Sequence, residues 1–274
     1  MGLACLTYTV PENAPIEHKT ICDLVNKGYN LPELFRAAYT FNRIHFEQQA
    51  TNRGRSKVEA GLFRGLSLYP ISLASALMPK IQGTYEKEAQ DYLAKESESS
   101  DRFLDIGWAE GFYLAGIARW RQIPCHGVDI DPGSQNAAQY VAKNNKLENL
   151  ISFSKSLSGL EEFITGKLLC LVDVDGSEFE VLRSLNMLFN QAESLKSVLL
   201  IVESDDSQFR RQNTPELIFE LAKSDWLIES TIKQRACDRF VDTNSELSFL
   251  EQVVLGAEGR PGGQCWVAAR KRFR

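Results

Sequence analysis

From residue 102 onward, short apolar runs alternate with stretches of helical spacing. Residues 102–105, 125–129, 150–153, 168–173 and 197–203 have strand length and are dominated by Val, Ile, Leu and Phe. Between and after them, residues 111–120, 134–144, 157–164, 177–189 and 215–223 place apolar side chains three and four apart, as a helix requires. Strands separated by helices of this length imply βαβ units, a parallel sheet and right-handed crossovers that leave helices on both faces. Residues 226–232 add a sixth strand and residues 264–269 a seventh. The stretch 233–263 between them is long and Gly-rich near its end, and reads as a loop with some structure of its own. The expected fold is therefore α/β, Rossmann-like and doubly wound, with a mainly parallel seven-stranded sheet.

Residues 1–100 follow another pattern. Residues 31–49 predict a helix whose apolar face carries Leu34, Phe35, Ala38, Tyr39 and Phe41, with Pro32 suited to the first turn. An apolar stretch at 62–78 is interrupted by Pro70, and residues 84–94 predict a short helix bearing Tyr85, Glu86, Tyr92 and Leu93. Lys95–Asp101 is polar and makes a linker. The division expected is an N-terminal helical extension or cap over 1–100 and a catalytic domain over 101–274.

Composition narrows the classes. Net charge is −5 over 274 residues, a poor balance for a general nucleic-acid binder, since phosphate neutralisation needs surplus Lys and Arg. Arg270, Lys271, Arg272 and Arg274 form a basic end, read as solvated rather than as an anion-binding arm. The six cysteines lie far apart, none in a CxxC or at zinc spacing with His, so reduced thiols in a cytoplasmic protein are expected, with Cys170 in the core. There is no basic start followed by a long apolar stretch and no run near 18 apolar residues, so neither a signal peptide nor a membrane span is expected.

The chemistry gathers where strands end. Phe103-Leu104-Asp105-Ile106-Gly107-Trp108-Ala109-Glu110-Gly111 is a buried strand, a glycine turn and a helix start. It is neither GxGxxG nor a P-loop, and Asp105 and Glu110 would repel a pyrophosphate but not a ligand bearing an amino group and a sulfonium charge. Roughly 20 residues on, the next strand ends in Asp129, placed to accept hydrogen bonds from both ribose hydroxyls of an adenosine. Asp131 reads as a turn or N-cap residue before the helix that follows. A third strand ends in Asp173 ahead of Gly176 and Glu178, and a fourth in Glu203. Four acids, Asp105, Asp129, Asp173 and Glu203, thus mark the carboxyl edge of one sheet, where ligands of open α/β folds bind. S-adenosylmethionine (SAM), cationic and rich in hydroxyl and amino groups, fits that edge. His126 falls at the wrong end of its strand, and His18 and His45 lie in the N-terminal region, so all three read as structural or surface residues.

These residues resemble the class I SAM-dependent methyltransferases. Asp105-Ile106-Gly107-Trp108-Ala109-Glu110-Gly111 is similar to their first motif. Val172-Asp173-Val174-Asp175-Gly176-Ser177-Glu178-Phe179-Glu180-Val181-Leu182 resembles the DxEGxExxVL signature of FkbM-type members, in which Asp173, Gly176, Glu178, Val181 and Leu182 fall on the conserved positions. Ile201-Val202-Glu203-Ser204 is similar to the strand that follows. The likeness spans roughly residues 103–205 and implies a SAM site at Asp105, Gly107, Trp108, Ala109, Gly111, Asp129, Ile130 and Asp173. Asp173 and Glu203 are the candidate catalytic residues, as base, Mg²⁺ ligands or anchors for a substrate amine. Mg²⁺ is compatible with such oxygen ligands but not favoured, because alignment at an activated sulfonium needs no metal. FkbM-type relatives imply O-methylation of a small molecule or a glycan or natural-product conjugate. N-methylation of an amine, or a silent SAM-binding interaction module, is the alternative. A small-molecule partner is expected, with no nucleic acid and no membrane. A homodimer is left open.

Overall fold

The computed structural model describes residues 16–29, 31–73, 75–174, 176–206, 214–234, 258 and 264–273. Its centre is one sheet built from β1 (Arg102–Ile106), β2 (Cys125–Val128), β3 (Ile151–Ser154), β4 (Gly166–Val172), β5 (Leu195–Asp205), β6 (Leu227–Lys233) and β7 (Gln264–Arg272). The spatial order is β3-β2-β1-β4-β5-β7-β6. The first five strands pair in parallel, while β7 runs antiparallel to both β5 and β6. The order reverses between β1 and β4, which makes the space beyond those two strand ends the switch-point crevice of a doubly wound sheet.

Alternate strand residues feed two cores, one on each face. Phe103, Leu169, Leu171, Leu199, Ile201 and Trp266 pack beneath α5 (Phe112–Arg121) and α6 (Pro132–Asn144). Leu104, Cys170, Val172, Leu200 and Val202 pack beneath α7 (Glu178–Gln191) and α8 (Thr214–Lys223). A Rossmann-like α/β architecture with helices on both faces is thus what the alternation of patterns led us to expect.

The N-terminal region contributes α1 (Ile16–Asn26), α2 (Leu31–Asn52), α3 (Leu77–Gln82) and α4 (Lys87–Glu96). Its second half has no core of its own. Phe63, Leu66, Ile81 and Leu93, each no more than 2% exposed, join the cluster that contains Phe103 and Ile117. A side chain at Gly116 of α5 would strike the Phe63 ring. At ~1.5–3 kcal/mol per buried side chain, these four residues alone contribute as much as a small domain's whole net stability. Residues from Ala50 to Leu93 therefore stabilise the sheet they cover.

Two details differ from the sequence reading, the segment 157–164 and the basic end. Residues 157–164 are turns rather than a helix: Gly159 has φ 83°, and the Phe163 and Ile164 amides both bond to the Leu160 carbonyl, closing a single turn. The apolar stretch from residue 62 opens on turns anchored by a bridge between Lys57 and Ser67. The basic end is strand rather than solvated tail. Arg270 pairs with Glu229 and Lys271 Nζ donates to the Ser224 carbonyl at 3.0 Å. Most of the 233–263 stretch, with Asp175, lies outside the described residues. Cys170 is buried in the core with a free thiol, as expected. No helix of the described residues is long and apolar enough to cross a membrane.

Candidate functional site

The carboxyl edge brings the acids together in two tiers. Ile106 is in register with Val128 and with Val172, and Val172 with Val202. Gly107, Asp129, Asp173 and Glu203 each come one residue later and so form one row across the strand ends. Asp105 lies two residues lower, in register with Gly127 and Leu171. It is not at the crevice surface, as an acid closing its strand would be. It is 1% exposed, and neither carboxylate oxygen makes a well-formed hydrogen bond, although the Leu114 amide lies near enough to offset part of the effect of burial. Burial pushes its carboxyl up to about 8, and the charges of Asp129 and Glu86 add to the rise. A proton on Asp105 is the molecule's answer to a carboxylate without a cation in reach.

The turn between β1 and α5 is held by three strained or close-packed residues. Gly107, with φ 84°, passes so near β4 that a Cβ would overlap the Asp173 carbonyl oxygen. Gly111, with φ 83°, faces Ala138 of α6, whose Cβ would lie 3.0 Å from an added one. Both glycines are thus required by packing at the switch point, independently of any ligand. Ala109 adopts φ 47°, a left-handed backbone that L residues seldom take. Its amide donates to Asp129 Oδ2 at 3.2 Å. Trp108 points inward: its indole lies over Gly127 and meets Phe153 edge to face, so this residue reaches the turn with its backbone, not its ring.

Asp129 is half-buried, and its other oxygen accepts the Asp131 amide at 2.9 Å. Each carboxylate oxygen therefore keeps lone pairs for further donors. Ile130 beside it is 86% exposed, an apolar side chain standing free at the crevice rim. Asp131 caps α6, accepting from the Gly133 and Ser134 amides, which lowers its pKa. Asp173 is half-buried at the switch point, while Glu203 is buried and accepts from Gln234 Nε2 at 3.4 Å. His126 bonds to the Ser152 and Ser154 hydroxyls at the amino half of β2, and burial lowers its pKa, consistent with a structural role. Glu178 lies buried at the start of α7, where its Oε1 accepts the Gly176 amide.

Sequence reasoning did not single out Lys80, nor the buried pairings of Glu110 and Glu86. Lys80 of α3 and Glu110 of the turn form an ion pair in which both side chains are at most 5% exposed. The Ser72 hydroxyl and Leu73 amide also donate to Glu110, at 3.0 and 3.3 Å. Burial alone would raise Glu110, but the Lys80 charge and these bonds outweigh it and hold the carboxyl below its ordinary value. Glu86, fully buried, accepts from the Tyr113 hydroxyl at 2.8 Å, and its amide donates to Glu258. Tyr85 packs edge-on against Phe112 in the core. The available signal was a lysine inside the apolar run Leu77-Met78-Pro79-Lys80-Ile81, where a cation needs a buried partner.

Among the described residues no group of three or more His, Cys, Asp or Glu could hold a metal ion. No protein-family model matches the chain, and no curated protein matches it. Solved structures are similar at a distance. An Escherichia coli protein described as a methyltransferase, yhhF, shares 12% identity over 80% of this chain and 98% of its own, with a TM-score of 0.46. M. capricolum TrmK, solved with S-adenosyl-homocysteine, shares 14% over 67% of each chain at 0.42. Ribosomal protein L11 methylase from Lactobacillus delbrueckii shares 15% over 69% of this chain and 78% of its own, also at 0.42.

Proposed function

We propose that this chain is a SAM-dependent methyltransferase of FkbM-like type, acting on a hydroxyl of a small molecule or of a glycan or natural-product conjugate. The observation that carries the reading is Asp129. It ends β2 beside the switch point, is locked in place by the Ala109 and Asp131 amides, and still has acceptor capacity on both oxygens. That suits the two adjacent hydroxyls of a ribose. The exposed Ile130 next to it offers an apolar face for a base. Asp105, buried and without a well-formed hydrogen bond, suits a cationic or amino group placed above it. These residues fit SAM, which when bound supplies a methyl group on a sulfonium leaving group.

The chain's own work is then alignment and proton removal. Asp129 and the 107–111 turn hold the cofactor, and the crevice beyond β4 and β5 positions the acceptor for in-line attack. A hydroxyl nucleophile must lose its proton as the C–O bond forms, and Asp173, at the switch point, is the base assigned. Glu203, more deeply set and bonded to Gln234, orients the acceptor. The row of acids also supports a second reading, in which Asp173 and Glu203 anchor a substrate amine that is methylated on nitrogen.

Calorimetric titration of the purified protein with SAM and with S-adenosylhomocysteine tests the cofactor, with affinity expected in the micromolar range common for enzyme ligands. Absence of binding by both would defeat the reading. Incubation with methyl-labelled SAM and fractionated cell extract, followed by mass spectrometry, tests the substrate. An O-methyl metabolite supports it, an N-methyl product selects the second reading, and binding without turnover indicates a silent module.

A further inference from the structure

We infer that the Lys80–Glu110 pair is a positioning device for the cofactor turn, through which the segment 72–80 sets the affinity for SAM. The inference rests on the cofactor assignment above and gives the motif residue Glu110 a partner, Lys80, that no motif contains.

Glu110 stands between two left-handed residues, Ala109 at φ 47° and Gly111 at φ 83°. The glycine adopts that conformation freely. The alanine does not, and a strained residue persists only where its surroundings over-determine it. Two tethers do so here. On one side the Ala109 amide is bound to Asp129 Oδ2 at 3.2 Å. On the other, the Glu110 carboxylate is gripped by Lys80, by the Ser72 hydroxyl at 3.0 Å and by the Leu73 amide at 3.3 Å. The grip is deeply seated. Lys80 is 2% exposed, and its ammonium lies 4.6 Å from the Tyr85 ring centroid and 5.4 Å from that of Phe112, the first residue of α5. A buried carboxylate so completely paired has one favourable orientation, and the turn it belongs to inherits that orientation.

The same turn supplies the amide that fixes Asp129. Release of Glu110 would leave Ala109 free to relax toward an ordinary backbone, taking its N–H away from Asp129 and leaving the ribose acceptor with one tether instead of two. The proton on Asp105 below and the row of acids beyond do not depend on this contact. The expected consequence is confined to cofactor binding, so Lys80 and Glu110 are positioning residues that touch neither cofactor nor acceptor.

Linkage makes the effect readable in both directions. The double variant K80M/E110M replaces the ion pair by apolar side chains of similar length, an exchange that buried pairs commonly tolerate. It should keep its circular dichroism and melting temperature while its dissociation constant for SAM rises about tenfold or more, a typical size for coupling between sites. KM for SAM should rise with kcat at saturating SAM retained, whereas K80R, which keeps the charge, should stay near the parent. In the parent itself, S-adenosylhomocysteine should slow hydrogen exchange at the Leu73 amide and across residues 72–80 several-fold, a readout that does not depend on any variant folding. Parent protein that binds, with neither a change of affinity in the folded double variant nor protection of residues 72–80, overturns the positioning role alone. Parent protein that binds neither SAM nor S-adenosylhomocysteine overturns the cofactor assignment, and this inference with it.

Discussion

Replacing Asp105 by Asn should make the protein more stable at neutral and alkaline pH and a poorer binder of SAM. Asp105 sits 1% exposed with neither oxygen in a well-formed hydrogen bond, and its carboxyl is pushed up to about 8 from an ordinary value of 3.8. Between those two values the folded chain keeps a proton that the unfolded chain releases. The folded state therefore binds more protons throughout the window, and stability must fall as pH rises, by up to ~1.4 kcal/mol per unit, until the loss levels off above about 8. Four units set a ceiling of ~6 kcal/mol, and water penetration and local relaxation reduce this to ~3 kcal/mol. Asparagine is isosteric and uncharged. It leaves buried polar atoms much as the protonated acid does, so its own cost below pH 5 should be small. Urea denaturation of parent and D105N at pH 5, 7 and 9 isolates the contribution, since all other titrating groups are shared. The difference should already favour the variant by ~1 kcal/mol at pH 5, because the loss begins above 3.8, and grow to ~2–3 kcal/mol at pH 9. Parallel profiles across that range would refute the argument, because they would mean that the buried acid ionises as freely folded as unfolded. A loss of SAM affinity alongside the gain in stability would mark Asp105 as a group whose destabilising burial serves binding.

Further outcomes follow from the same geometry. Asp129→Ala should weaken SAM binding tenfold or more with an unchanged circular dichroism spectrum, since each hydrogen bond to a charged acceptor contributes ~1.5–3 kcal/mol; unchanged affinity in titration would assign the ribose elsewhere. Gly107→Ala should cost more than ~3 kcal/mol or abolish soluble expression, because its Cβ would overlap the Asp173 carbonyl oxygen in a left-handed backbone; a melting temperature within a few degrees of the parent would contradict the close approach of β1 and β4. A chain starting near residue 96 should not fold, because it lacks Phe63, Leu66, Ile81 and Leu93 of the shared core; a cooperative melt from such a fragment would overturn that.

The parts of this molecule legible in its sequence are those governed by local pattern. Apolar runs ending in Asp or Glu located the strands to within a few residues, because a strand buried on both faces must be continuously apolar and its polar terminus marks where burial ends. Asp131 could be read as a cap for the same reason: its role is fulfilled by amides two and three residues away. Residues 157–164 misled because apolar spacing at Leu160 and Ile164 is served equally by one turn packed under β1 and by a helix. The linker at 95–101 was real as a change of polarity yet separated no cores, since the residues before it cover α5.

Long-range pairing left the least trace. Lys80 and Glu110 are 30 residues apart, and neither stands out beside the chain's other charges; only the apolar neighbours of Lys80 betray that its partner must be buried. The same holds for Asp105. A strand reading places it at an edge with Asp129, Asp173 and Glu203, but register puts it two residues below them, and that displacement of about 6.6 Å, at roughly 3.3 Å per residue, changes its chemistry. At the edge it would be an ionised acceptor in water. Two residues deeper it is a buried acid whose carboxyl is pushed up to about 8. Depth in the sheet, rather than residue type, therefore sets Asp105 apart from the acids that end the neighbouring strands.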